Sequence, residues 1–158
     1  MKKDMAIGCG IGCGASLFLL VVTIICFWIW FNNMIDDSLS KEEIFELVND
    51  NYSVIMEDIS EKDFADTEKI KGVYEVYSDT ETIDVYCGGR GFGSATSYYG
   101  FYYSPDGLPK TSWCGSDFGI VDELKSEGNG YALRDSDDDN SYYTEKIRDN
   151  FFYYEAHF

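Results

Sequence analysis

Residues 6–31 carry no charged side chain, and that run constrains the chain more than any other feature. At about 1.5 Å rise per residue its 26 positions extend about 39 Å as a helix, enough to cross a hydrocarbon core about 30 Å thick. A secretory signal is the competing reading, but its apolar region is about 7–15 residues long and ends at a small-x-small cleavage site. Here the run passes instead from Phe27-Trp28-Ile29-Trp30-Phe31, aromatics suited to a membrane–water interface, into Asn32-Asn33. The sequence therefore predicts an uncleaved, single-pass signal anchor over 6–31, preceded by a short N-terminus over 1–5. A linker over 32–39 and an outer domain over 40–158 follow. Lys2 and Lys3 precede the run and the first charges after it are Asp36 and Asp37, so the N-terminus is expected inside and the outer domain across the cell membrane.

That division changes the meaning of the charge. The whole chain carries 12 Lys and Arg against 29 Asp and Glu, and setting aside Lys2, Lys3 and Asp4 leaves 10 against 28 over residues 32–158, a formal −18. A surplus of this size repels phosphate backbones and no basic stripe offsets it, which excludes nucleic acid as the expected partner. The same field favours cations and basic proteins. With 45% hydrophobic and 17% aromatic residues, the chain has enough apolar surface to fold.

The first half of the anchor reads Gly8-Cys9-Gly10-Ile11-Gly12-Cys13-Gly14, which sets Gly8 against Gly12 and Gly10 against Gly14 at small-x3-small spacing. Such pairs let a second helix approach closely, so homodimerisation through the membrane helix is one expectation. A lipoprotein site at Cys9 or Cys13 needs the apolar stretch before the Cys, and here it follows, whereas palmitoylation of juxtamembrane cysteines in a eukaryotic host has no such requirement. Both, with Cys26, read as small apolar residues of the helix.

The outer domain opens on Ser40-Lys41-Glu42-Glu43, an S-x-x-E capping box that predicts a helix start. Ile44, Leu47, Val48, Tyr52, Ile55 and Ile59 then recur at three- and four-residue spacing and predict one amphipathic helix. Beyond Gly72 the period becomes two. Strands are predicted around 73–77 and 83–87, joined through Asp79-Thr80-Glu81, and over 95–104, closed by Ser104-Pro105-Asp106-Gly107. A return strand is expected over 110–114, with further strands over 130–134, 141–147 and 151–157. The expected class is α+β: a transmembrane helix, then one amphipathic helix packed on a curled antiparallel sheet of about six or seven strands, in meander order.

The stretch Gly91-Phe92-Gly93-Ser94-Ala95-Thr96-Ser97-Tyr98-Tyr99-Gly100-Phe101-Tyr102-Tyr103-Ser104 and the ending Tyr153-Tyr154-Glu155-Ala156-His157-Phe158 resemble small membrane-anchored proteins of low-GC Gram-positive bacteria. The resemblance implies a bacterial envelope location and assigns no activity, ligand or catalytic residue. The helix-then-meander order is similar to cystatin-like inhibitor folds, an analogy of fold alone.

Candidate chemistry is sparse. Cys87 and Cys114 are the outer domain's two cysteines, so a disulfide within it has one available pairing, which would stabilise the fold by about 3 kcal/mol. Gly88-Gly89-Arg90-Gly91-Phe92-Gly93 fails the dinucleotide spacing at Ser94 and lacks the Gly-Lys-Ser/Thr of a P-loop, leaving Arg90 as a candidate contact for an anionic group. Asp135, Asp137 and Asp139 alternate as calcium ligands do, although Asn140 and Lys146 stand where an EF-hand needs Gly and Glu. No zinc pattern and no other cofactor motif is found. Tyr98 and Tyr102 alternate against Tyr99, Phe101 and Tyr103; either the rings close over both sides of a small curled sheet, or one set fills the core and Tyr98 and Tyr102 form an exposed platform for a ligand or partner.

No Gly-x-Ser-x-Gly elbow or His-Glu-x-x-His occurs, and alternation alone puts Glu155 and the single His157 on one strand face, which does not make a catalytic pair. The expectation is a non-enzymatic binding or accessory domain at the cell envelope, held by the lipid bilayer and facing a basic protein partner. An inhibitor or immunity-type protein against a basic toxin or hydrolase is the alternative.

Overall fold

The computed structural model describes residues 17–30, 38–80, 82–93, 95–111, 124–134 and 140–158. The chain divides into two compact units, Met1–Asp36 and Asp37–Phe158. In the first, residues 17–30 form helix α1, exposed throughout. The one hydroxyl in this stretch is satisfied locally, since Thr23 Oγ1 donates to the carbonyls of Leu19 and Leu20 at 3.0 and 2.8 Å. Among the described residues no helix is long and apolar enough to cross a membrane. The rest of the predicted span, Gly8, Gly10, Gly12 and Gly14 included, lies outside the described residues.

The second unit begins with two helices, α2 (Lys41–Asp50) and α3 (Tyr52–Glu61). The capping box forms: Ser40 Oγ accepts from the Glu43 N–H while the Glu43 carboxylate accepts from the Ser40 N–H at 2.8 Å. The single predicted helix is divided at Asn51, whose φ of −109° and ψ of 15° leave the helical region. Its backbone N–H and side-chain amide both donate to the Leu47 carbonyl, closing α2. Because Tyr52, Ile55 and Ile59 stay on the face begun by Ile44, Leu47 and Val48, the apolar stripe runs across the break.

Seven strands follow: β1 (Glu75–Ser78), β2 (Ile83–Phe92), β3 (Ala95–Tyr103), β4 (Lys125–Glu127), β5 (Gly130–Arg134), β6 (Ser141–Arg148) and β7 (Phe151–His157). They form one open antiparallel sheet in the order β1-β2-β3-β7-β6-β5-β4. The predicted meander is therefore two meanders, and the final strand enters between β3 and β6. The return strand expected from Lys110 is not one over its described residues, 110–111, and residues 112–114 lie outside the described residues.

The two faces of the sheet build two cores. On the helix side Ile44, Leu47, Val48 and Ile55 pack on Val85, Cys87, Phe101, Phe151 and Tyr153. On the opposite side Tyr102, Leu133, Tyr142, Phe152, Tyr154 and Ala156 form a second buried cluster. The connection leaving β3 folds over this second face, where the Lys110 carbonyl accepts hydrogen bonds from the hydroxyls of Tyr102 and Tyr142. A sheet with apolar side chains on both faces needs cover on both, and the pattern of near-continuous aromatics in β3 and β7 follows from that.

Candidate functional site

The helices cover only part of their face of the sheet. Strand register orders that face in cross-strand rows. Under the helices lies Phe101 opposite Tyr153, with Tyr153 opposite Glu145 on β6. The next row is Tyr99, Glu155 and Tyr143, and the outermost is Arg90, Ser97, His157, Ser141 and Arg134, drawn from five strands. Apolar side chains thus give way to polar ones as the helix layer ends.

Lys41, the first residue of α2, ties the helix to this region. Its ammonium pairs with Glu145 and sits 5.3–5.8 Å from the ring centroids of Tyr143, Tyr153 and Phe45. Burial opposes ionisation of Glu145, but the hydrogen bonds from Lys41 and Tyr143 together with the lysine's charge outweigh it and hold the carboxyl below its ordinary range. Tyr143 donates to the same carboxylate at 2.7 Å. Burial first, and then the neighbouring Glu145, raise the Tyr143 phenol, keeping it protonated as a donor.

Two residues further along β7 the arrangement repeats with different groups. Tyr153 donates to Glu155 Oε2 at 2.7 Å, and burial followed by the charge of Glu155 raises its phenol as well. The other oxygen of Glu155 lies 3.7 Å from His157 Nε2. On its far side His157 Nδ1 is 2.7 Å from Ser97 Oγ. The Tyr99 ring stands edge-on to the imidazole, 6.3 Å between centroids at 84°. The His157 and Glu155 side chains are 39% and 32% exposed, so solvent and small molecules reach them.

Sequence alternation placed Glu155 and His157 on one face but had no means of bringing in Ser97, which is 60 residues away and meets His157 only because β7 pairs with β3. The other sites expected from sequence are dispersed. Tyr102 does not belong to an exposed platform. It is wholly buried, stacked on Phe152 at 5.3 Å, its hydroxyl 2.8 Å from that of Thr144, and burial pushes its phenol up to about 12. Tyr98, on the same face, is half-buried between Tyr86 and Phe158. Arg90 is exposed on β2, directly across from Ser97. Cys87 is a free thiol, fully buried in the helix-side core, where desolvation pushes its titration upward. Its expected partner Cys114 lies outside the described residues, as do Asp135, Asp137 and Asp139. Among the described residues no cluster of three or more His, Cys, Asp or Glu side chains is arranged to hold a metal.

A second surface is set by charge. The outer side of the helix pair presents Glu42, Glu43, Glu46, Asp50, Glu57 and Glu61, all exposed. Beyond α3 the acidic surface continues through Asp63, Asp66 and Glu68, and the 3-10 turn Thr67–Lys69 adjoins β1, flanked by the exposed rings of Tyr74 and Tyr77.

No family model, no curated protein and no solved structure matches this chain.

Proposed function

We propose that the chain is a single-pass protein of the cell envelope, anchored through residues 6–31, whose outer domain holds a basic protein partner. The observation that carries the reading is the one-sided helix surface: six carboxylates from Glu42 to Glu61 face solvent while the opposite sides of the same helices are spent on the core. Of the six, Glu43 closes the capping box on Ser40 while the other five lie on the solvent side of the helices, and a field of one sign speeds the encounter with a partner of the other. Exposed Tyr74 and Tyr77 add apolar area with polar tips, the composition favoured where proteins meet.

The test is chemical crosslinking of the full chain in its native membrane, run beside a charge-reversed variant carrying Glu42→Lys, Glu46→Lys and Glu57→Lys. The wild type is expected to capture a basic protein, and capture should fall sharply in the variant and when salt is raised towards 1 M, where the Debye length is about 3 Å. Equal capture by both forms would remove the helix surface from the interaction. Reporter fusions at the two ends test the anchor, with the outer domain expected across the membrane from the N-terminus.

A further inference from the structure

Ser97, His157 and Glu155 take no part in that partner surface, yet their geometry is that of an activated hydroxyl. Ser97 Oγ reaches Nδ1 of the chain's one histidine at 2.7 Å. A serine hydroxyl that donates to Nδ1 places the ring proton on Nε2, the nitrogen facing Glu155 Oε1 at 3.7 Å. Glu155 cannot turn away freely because Tyr153 holds its other oxygen at 2.7 Å, and the edge-on Tyr99 ring walls the imidazole. A hydroxyl, a base and a carboxylate that orients the base are the parts that make a serine nucleophilic, and they recur on unrelated folds by geometry rather than by motif. The 3.7 Å separation is longer than a hydrogen bond, as catalytic contacts often are before substrate binds.

We propose that Ser97 is the nucleophile of an acyl-transfer site that hydrolyses small carboxylic esters, with His157 as general base and Glu155 as the group that stabilises the imidazolium. Ser97 Oγ bonds to the ester carbonyl carbon as its proton passes to His157 Nδ1. The tetrahedral adduct then collapses, the carbon–oxygen bond to the alcohol breaks, and the alcohol leaves with the proton from Nδ1. A water molecule, deprotonated by the same nitrogen, attacks the acyl carbon and releases the acid while Ser97 Oγ regains its proton. The net change is ester plus water to acid plus alcohol, with nothing oxidised or reduced. Arg90, opposite Ser97 on the same face, brings positive charge to the row where the carbonyl oxygen turns negative. The array lies beyond the helix layer with His157 and Glu155 partly exposed, so an ester reaches Ser97 from solvent.

The full chain in detergent, first shown to melt cooperatively, is treated with a fluorophosphonate, which phosphonylates activated serines and leaves ordinary ones alone. Intact mass and peptide mapping should find one adduct, on Ser97. Ser97→Ala should abolish it, His157→Gln should slow it about 100-fold and Glu155→Gln about 10-fold. Tyr153→Phe, a positioning change, should slow labelling of Ser97 while itself melting as the wild type does. Folded wild type that takes no label on Ser97 would overturn the proposal without any variant being needed, and so would labelling of His157→Gln at the wild-type rate.

Discussion

Lys41 is exposed enough to look like an ordinary surface charge, but it is the group on which the buried carboxylate of Glu145 depends. Replacing it by Met keeps the stem that lies over Tyr143 and Tyr153 and removes the ammonium, leaving a buried acid with only neutral donors. Lys41→Met is expected to cost about 1–3 kcal/mol at neutral pH, read as a lower urea midpoint with an unchanged slope. Because the fold depresses the Glu145 titration, its contribution is present above the unfolded value of about 4.3 and is lost as pH falls through the folded one. The gap between wild type and variant should therefore close in acid, and a gap that widened below about pH 4 would show the pair to be unimportant. None of this was legible in sequence, where Lys41 and Glu145 stand 104 positions apart and each reads as a solvated charge. The same holds for Ser97 and His157: a pattern of one strand cannot say which strand lies beside it. The Tyr98 and Tyr102 alternation was legible, and both do share a face, but it carried no information on what covers that face.

Local chemistry was easier to see at the level of elements. The capping box at Ser40 and Glu43 needs only four consecutive residues, and the strands over Ala95–Tyr103, Gly130–Arg134 and Phe151–His157 lie where short apolar and aromatic runs bounded by turn residues put them. The break at Asn51 was invisible because α3 continues the apolar stripe of α2, so periodicity has no change to report. Gly100 shows what patterning misses inside a strand. A Cβ there would lie 2.2 Å from the Val85 carbonyl oxygen of β2 and 2.8 Å from atoms of the Tyr154 ring of β7, so the glycine lets β3 sit tightly between its neighbours and lets a large ring cross over it. Gly100→Ala must push apart two central strands, since one of the clashing atoms is backbone and cannot rotate away. The expected loss is about 2–4 kcal/mol, seen as a drop in melting temperature together with faster hydrogen exchange along β2 and β3. A variant that melted as the wild type does would mean the strands separate more easily than their packing implies.

At the scale of the whole molecule the decisive fact is where the last strand goes. Helix-then-strands order was readable, and so was the α+β class, but a run of hairpins predicts a sheet in chain order, whereas the connection after β3 carries the chain to the far edge and β7 returns to the middle. Period-two alternation does not encode that return; the local sign of it is the unbroken aromatic run of β7, which needs burial on both faces and finds it between β3 and β6. Phe151, Phe152, Tyr153, Tyr154 and Ala156 are all buried, the odd positions facing the helices and the even ones the second core. At about 1.5–3 kcal/mol for each large side chain, the strand supplies as much burial energy as the 5–15 kcal/mol net stability of a typical domain. A chain stopped after Asn150 is therefore expected to lose its cooperative urea transition altogether, because β1-β2-β3 and β4-β5-β6 are then two separate pieces with an uncovered apolar flank each. Ser126→Pro in β4, a three-residue strand at the sheet edge with every residue exposed, is the matched control and should keep a single transition with a small shift in midpoint. If the shortened chain still unfolded in one sharp step, β7 would be an addition to a finished sheet. The pairing that brings Ser97 beside His157 would then be incidental to the fold, so the two circular-dichroism curves bear on the site as well as on the architecture.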